Sequence, residues 1–263
     1  MRTPITIIFV IVFILEFKAQ HYTHDIGGFV GTTSLQTDYG ERNHFGSEYN
    51  NKGMSFAVAH YLHFFNRTLR WDPNDIMRNH LMVKTEIQYV KNTELEHHGY
   101  WASKQSYGGE QLRAMKGSIR MINLGLHLEY FLRPLEEFVY PYTDISFNPF
   151  FTFGIQYSFY NNSLKSDLGD WQEDIAVLPK KYTEENSLDI GSGEAFAFNI
   201  GLGTRYKLTE KLDLSAQFNY SYFFSDKIDG LKADVFENRN NEWALTMQVG
   251  LIYHLNFSTP LFY

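Results

Sequence analysis

The chain has 263 residues, a formal net charge of −7 at pH 7 and no cysteine. That acidic balance argues against nucleic acid as a partner, because phosphate binding needs concentrated positive charge. The missing thiol removes disulfides, thiolate metal sites, a cysteine nucleophile and a lipid-modified N-terminal cysteine.

The opening MRTPITIIFVIVFILEFKAQ stands apart from the rest. Arg2 supplies a short basic region, Ile5 to Leu15 an apolar core, and Lys18-Ala19 leads to a cleavage point before Gln20, so residues 1–19 read as a secretory signal peptide. Residues 20–263 then form a single domain. Their mean hydropathy gives no reason to expect spanning helices, since the whole chain averages −0.33 and no apolar run after the signal approaches membrane length. Aromatics nevertheless reach 17%, with 18 Tyr and 23 Phe, which suits a barrel with aromatic girdles.

From Gln20 onward, eight segments alternate with a period of two, the mark of a strand with differently solvated faces. The first, His24 to Thr33, is glycine-rich. The second, Gly53 to Phe65, sets Met54, Phe56, Val58 and Leu62 against Ser55, Ala57, Ala59, Tyr61 and His63, with His60 interrupting the apolar face. In the third, Asn79 to Lys91, Leu81, Val83, Thr85, Ile87 and Tyr89 oppose His80, Met82, Lys84, Glu86 and Gln88. The fourth, Ser118 to Leu132, carries Ile122, Leu124, Leu126, Leu128 and Tyr130, and the fifth, Pro149 to Asn161, carries Phe151, Phe153, Ile155, Tyr157 and Phe159. The sixth, Glu194 to Lys207, and the seventh, Leu212 to Ser225, continue the pattern. The eighth, Asn241 to Phe257, is the most regular, with Trp243, Leu245, Met247, Val249, Leu251, Tyr253, Leu255 and Phe257 on one face.

These segments predict an all-β fold: an eight-stranded antiparallel up-and-down transmembrane β-barrel in the outer membrane. Eight is the smallest even number such single-chain barrels use. With both termini periplasmic, the long connections after segments one, three, five and seven fall outside, and the tight LTEK link, Leu208 to Lys211, falls inside. The connection Arg133 to Asn148 is longer than that rule prefers. The same orientation collects Tyr89, Tyr157, Phe159, Tyr222, Phe224 and Trp243 at the outer level and Tyr130, Tyr206, Tyr253 and Phe257 at the inner one. A soluble calyx also alternates, but its outer face would be rich in Lys, Glu and Asp. Here the less apolar face is mostly Gly, Ala, Ser, Asn and Gln, as the crowded interior of a narrow barrel requires.

Ionisable residues on that inner face are Asp25, His80, Lys84, Glu86, His127, Glu129, Arg205, Lys207, Asp213 and His254. They could line a proton path or pore, but a paired network plugging the lumen is expected, because buried charges must be paired. Closure of the barrel would bring His254 near Asp25. Glu94, Glu96, His97 and His98 have metal-ligand types, yet adjacent histidines in a strand extension point to opposite faces, so a solvated loop is expected. The acidic stretch with Asp167, Asp170, Glu173, Asp174, Glu184, Glu185, Asp189 and Glu194 matches no calcium-loop spacing. No G-x-S-x-G elbow or other nucleophile–base spacing stands out, so no enzyme, cofactor or metal is expected.

Several stretches together resemble a family of small outer-membrane β-barrel proteins of Bacteroidota: HDIGGFVGTTSLQTDYGER, QLRAMKGS, YSFYNNSLKSDLGD, GTRYKLTEKLDL and YFFSDKIDGL. The opening GGFVGTTSLQTDYG is also similar to the start of PorG-type proteins, the barrel component of the type IX secretion system. That resemblance implies a non-enzymatic scaffold or docking role in protein secretion, beside periplasmic ring or translocon subunits and outer-membrane lipid. On it, the expected docking surface is the turn Asn66 to Met77, where Arg67, Arg70 and Trp71 are types enriched at interface centres, with Arg133 to Phe147 as a second candidate. The alternative is a stand-alone surface protein whose long acidic loops bind an extracellular partner or ion.

Overall fold

A computed structural model describes residues 23–39, 51–64, 75–135, 146–184, 186–232 and 241–255, with only the backbone course of 92–94. The expected signal segment, the turn residues Arg67, Arg70 and Trp71, and the C-terminal STPLFY lie outside the described residues. Among those described, eight strands close into one barrel in sequence order: β1 Thr23–Gln36, β2 Lys52–His63, β3 Leu81–Glu96, β4 Met115–Phe131, β5 Phe147–Ser166, β6 Ser192–Lys207, β7 Leu212–Phe223 and β8 Trp243–Leu255. Every pairing is antiparallel. Among the described residues a strand runs through each of the eight expected segments, and from the second onward the apolar face expected outward is outward along the strand.

The strands nevertheless run beyond the alternating stretches, most of all β5, which continues to Ser166. Outward positions there become Asn161, Ser163 and Lys165 while the ladder to β4 continues unbroken. Apolar alternation reports contact with lipid, not hydrogen bonding, so it stops at the membrane edge although the strand does not.

The opposite disagreement occurs at the start of β3. The sequence pattern begins that strand at Asn79, whereas residues Ile76–His80 form a short helix, α1. The Asp75 carboxylate caps it, accepting from the Arg78 amide at 3.1 Å, and pairs with the Arg78 guanidinium at 3.2 Å. His80 therefore does not face the lumen. Its Nδ1 meets the Phe131 carbonyl oxygen at 2.7 Å and its ring stacks on Tyr130.

The β3–β4 connection holds two further helices, α2 Tyr100–Ser103 and α3 Tyr107–Ala114, the latter capped by the Ser106 hydroxyl accepting from the Gly109 amide. No helix among the described residues is long and apolar enough to cross a membrane.

The β1–β8 seam requires close backbone approach. A Cβ on Gly31 would overlap the Met247 carbonyl oxygen, and one on Gly250 would overlap the Gly28 carbonyl oxygen. Of the β1 glycines it is Gly31 that serves closure, with Gly250 on the β8 side.

Outside, the apolar positions form a continuous exposed belt: Val30, Val58, Ile87, Leu124, Ile155, Ile200 and Val249 among them. Rings frame it, with Tyr157–Phe159 and Tyr222–Phe224 in contact at the end of the longer connections and Tyr130, Tyr206 and Tyr253 exposed at the other. Val249, 50% exposed, sits mid-belt opposite Val30 and Ala216. Val249→Arg should lower folding stability in bilayers by roughly 2–4 kcal/mol, measured by urea titration with heat-modifiable gel migration as readout. Unchanged stability would mean that β8 faces the other way.

Candidate functional site: an occluded lumen

Inward side chains fill the barrel in three levels. Nearest the termini, Arg205 is fully buried and bonds Glu129 at 3.1 Å, with Asp25 3.7 Å away. Its guanidinium lies over the Tyr61 ring at 4.2 Å and the Phe131 ring at 5.1 Å, and Met82, Phe131, Leu135 and Phe150 close this level from below. Beside it, His254 is held between two carboxylates. Nδ1 is 2.9 Å from Asp25 Oδ1 and Nε2 is 3.0 Å from Asp213 Oδ2. Standing between the two carboxylates, His254 ties β1, β7 and β8 together. His63 approaches the same Asp25 oxygen at 3.7 Å.

In the middle level, Lys84 pairs with Glu86 and donates to Gln217 at 3.1 Å, and Gln217 donates to Gln248 at 2.7 Å. Asn123 donates to Gln88, and Asn199 to Gln156. His127 lies across Gly125 and Gly154, either of whose Cβ atoms would overlap its ring. Among the described residues neither of its nitrogens has a hydrogen-bond partner, so it fills space.

The outer level is apolar. Leu35, Val90, Met121, Ile119, Tyr160, Ala197 and Phe223 from the strands meet Tyr39, Leu178, Tyr182, Ile228 and Leu231 from the connections. Asn162 bolts this cap. Its amide donates to the carbonyls of Lys227 and Ile228, and its oxygen accepts from the Gly191 amide. Gln111 of α3 reaches the Ala176 and Leu178 carbonyls.

The structure thus gathers Asp25, Lys84, Glu86, His127, Glu129, Arg205, Asp213 and His254 inside the lumen. Lys207 stands opposite Asp213, half-buried at the rim. Tyr61, Gln217 and Gln248 join these residues in the interior. Their inward parity was legible, but uncharged residues gave no reason to single them out.

His97 corrects the expected solvated loop. It is buried between Tyr39 and Tyr182, with ring centroids 5.0 and 6.2 Å away, and burial, with Lys181 and His98 nearby, pulls its pKa down to about 3. Four carboxylates of the acidic stretch have local roles: Asp170 and Asp174 cap turns, while Asp167 and Asp189 pair with Lys116 and Lys227. Among the described residues no group of three metal-ligating side chains converges. Of the second expected docking stretch, Arg133 donates to the Phe147 carbonyl at 3.0 Å.

A closed eight-stranded ladder, an apolar outer belt framed by aromatics and a packed polar interior define an outer-membrane β-barrel protein. No protein-family model matches the sequence, and no curated protein matches it. Solved structures do. A major outer membrane protein from Thermus thermophilus has TM-score 0.49 and 14% identity, covering 89% of this chain and 99% of that one. Neisserial surface protein A has 0.45 and 13%, covering 88% and 97%. Ail of Yersinia pestis has 0.44 and 11%, covering 90% and 100%. These likenesses concern the fold alone.

Two predictions test the plug and its cap. Arg205→Met removes the cation bonded to the buried Glu129 and should cost roughly 3–5 kcal/mol; adding Glu129→Gln should restore part of it, as read by urea unfolding. In the cap, Glu242 accepts from the Ile228 and Asp229 amides, and Asp229 from those of Leu231 and Asp38. Burial, against the pull of those amides, pushes Asp229 up to about 6. Burial and the charge of Asp229 push Glu242 well above the carboxylate range. Both hold protons more tightly folded than unfolded, so the stability they contribute is complete below the ordinary carboxylate range and is lost as pH rises through about 6 and beyond. Hydrogen-exchange protection of the Asp38, Ile228, Asp229 and Leu231 amides, corrected for intrinsic rate, should fall over that window, and Glu242→Gln should flatten the fall.

Proposed function

We propose that the chain is a non-enzymatic outer-membrane barrel that works through its rims, as a PorG-like scaffold or docking component of the type IX protein secretion system. The occluded lumen carries the non-channel part of this reading. Among the described residues, paired charges, glutamine relays and an apolar cap fill the lumen, which supports a reading in which cargo does not pass through the barrel. The assignment to secretion is supported by the resemblance of GGFVGTTSLQTDYG and the other quoted stretches. The partners on this reading are periplasmic ring or translocon subunits, met by the turns at the terminal end, with Arg67, Arg70 and Trp71 as contacts.

A second reading, a stand-alone surface protein, has its own support: Tyr100, Trp101 and Tyr107 are exposed on α2 and α3, with Lys104 against the first two rings. Such an aromatic patch fits an extracellular partner. Copurification from mildly solubilised membranes separates the two. Ring or translocon subunits should accompany the wild type and be lost from an Arg67→Ala/Arg70→Ala/Trp71→Ala variant that still shows heat-modifiable migration. Their absence from the wild type would end the secretion reading.

A further inference from the structure

Above the lipid belt, the outward positions of β2 to β5 turn basic. Lys52, Lys91, Arg120 and Lys165 are all exposed there, on the same strand face as Met54, Tyr89, Ile122 and Phe159. The register places Lys91 directly opposite Arg120, and Lys116 opposite Lys165. Between the two rows, the Ser118 and Ser163 hydroxyls lie 2.8 Å apart.

Like charges facing each other on one side of a sheet destabilise it, so two such rows in one sector call for anions. Asp167 answers Lys116 at 2.8 Å. Lys91, Arg120 and Lys165 make no ion pair among the described residues. The charge is also one-sided. At the same end, the outward positions of β6, β7 and β8 are Glu194, Tyr222 and Trp243, and at the terminal end of β2 to β5 they are Leu62, Leu81, Tyr130 and Phe151.

Height decides what can neutralise the strip. Lys91 and Arg120 stand one outward position, about 7 Å along a strand, beyond Tyr89 and Ile122. The exposed Tyr89 ring marks the headgroup level, and Ile122 faces Tyr89 in the register, so the cations reach the phosphates of the leaflet, with their stems over the belt. The longer connections emerge at this end, which makes that leaflet the outer one.

We propose that this strip binds the phosphorylated headgroup of an outer-leaflet glycolipid. Arg120 presents a two-pronged donor to phosphate oxygens and Lys91 adds a point charge from the neighbouring strand, while Lys165 and the serine pair extend the contact along β4 and β5. This site is independent of the secretion reading and of the lumen.

The test titrates the detergent-purified barrel with bis-phosphorylated lipid A and reads binding by native mass spectrometry. Lys91→Gln/Arg120→Gln should weaken binding roughly tenfold or more. The charge-matched Lys180→Gln/Lys232→Gln, on exposed cap positions, should bind as the wild type does. Dephosphorylated lipid A should bind the wild type as weakly as lipid A binds the double variant, and excess inorganic phosphate should not compete. Heat-modifiable migration checks folding; should the double variant misfold, each single variant is expected to lose several-fold. The proposal is overturned if the strip variants bind like the wild type, if the cap variant loses as much, or if inorganic phosphate displaces the lipid.

Discussion

The pairing of β1 with β8 is the contact on which the rest of this structure depends. Within hydrocarbon, no water satisfies an open sheet edge, and each unpaired backbone group costs several kcal/mol. A sheet in that setting must therefore close. With eight strands the closed cylinder is narrow, so the inward side chains touch one another across it and the lumen becomes a core. The glycines at the seam, Gly31 and Gly250, let the two edge strands approach closely enough for the ladder to complete.

Closure also determines the character of that core. Its walls alternate, so the inward residues of all eight strands meet near the axis, and any charge among them meets other charges. Arg205 serves Glu129 and Asp25 from β6, and His254 serves Asp25 and Asp213 from β8. Asp25 is common to both sets. From its position near the beginning of the first strand it meets His254 across the β1–β8 pairing and Arg205 across the lumen. Removing one partner of such a buried network leaves an uncompensated charge, which is why the set is costly to break.

The two ends of the barrel are built differently. The terminal end is sealed by a charged level resting on Phe131 and Phe150, the outer end by an apolar cap assembled from separate connections. That cap is held by buried carboxylates and Asn162 bonding to backbone amides and carbonyls, an arrangement that lets polar loops lie over an apolar plug without leaving their backbone groups unsatisfied. On the outside, the same outer end turns basic: one outward position separates Tyr89 from Lys91 on β3 and Ile122 from Arg120 on β4, while β5 reaches Lys165 only after Asn161 and Ser163.

Strand number, facing, girdles and the inward placement of Asp25, Glu129, Arg205, Asp213 and His254 were all legible in the amino-acid sequence. Each follows from one local rule: a strand facing lipid on one side must alternate. The strand extensions beyond the membrane, the α1 turn that removes His80 from the lumen and the burial of His97 were not, because lipid no longer imposes a pattern there. What a residue meets in those places depends on segments distant in the chain: Phe131 for His80, Tyr39 and Tyr182 for His97. The partners inside the lumen, and the row of Lys91 against Arg120, likewise waited on register. Parity says which way a side chain points, but only the hydrogen-bonded pairing of two strands says what stands beside it.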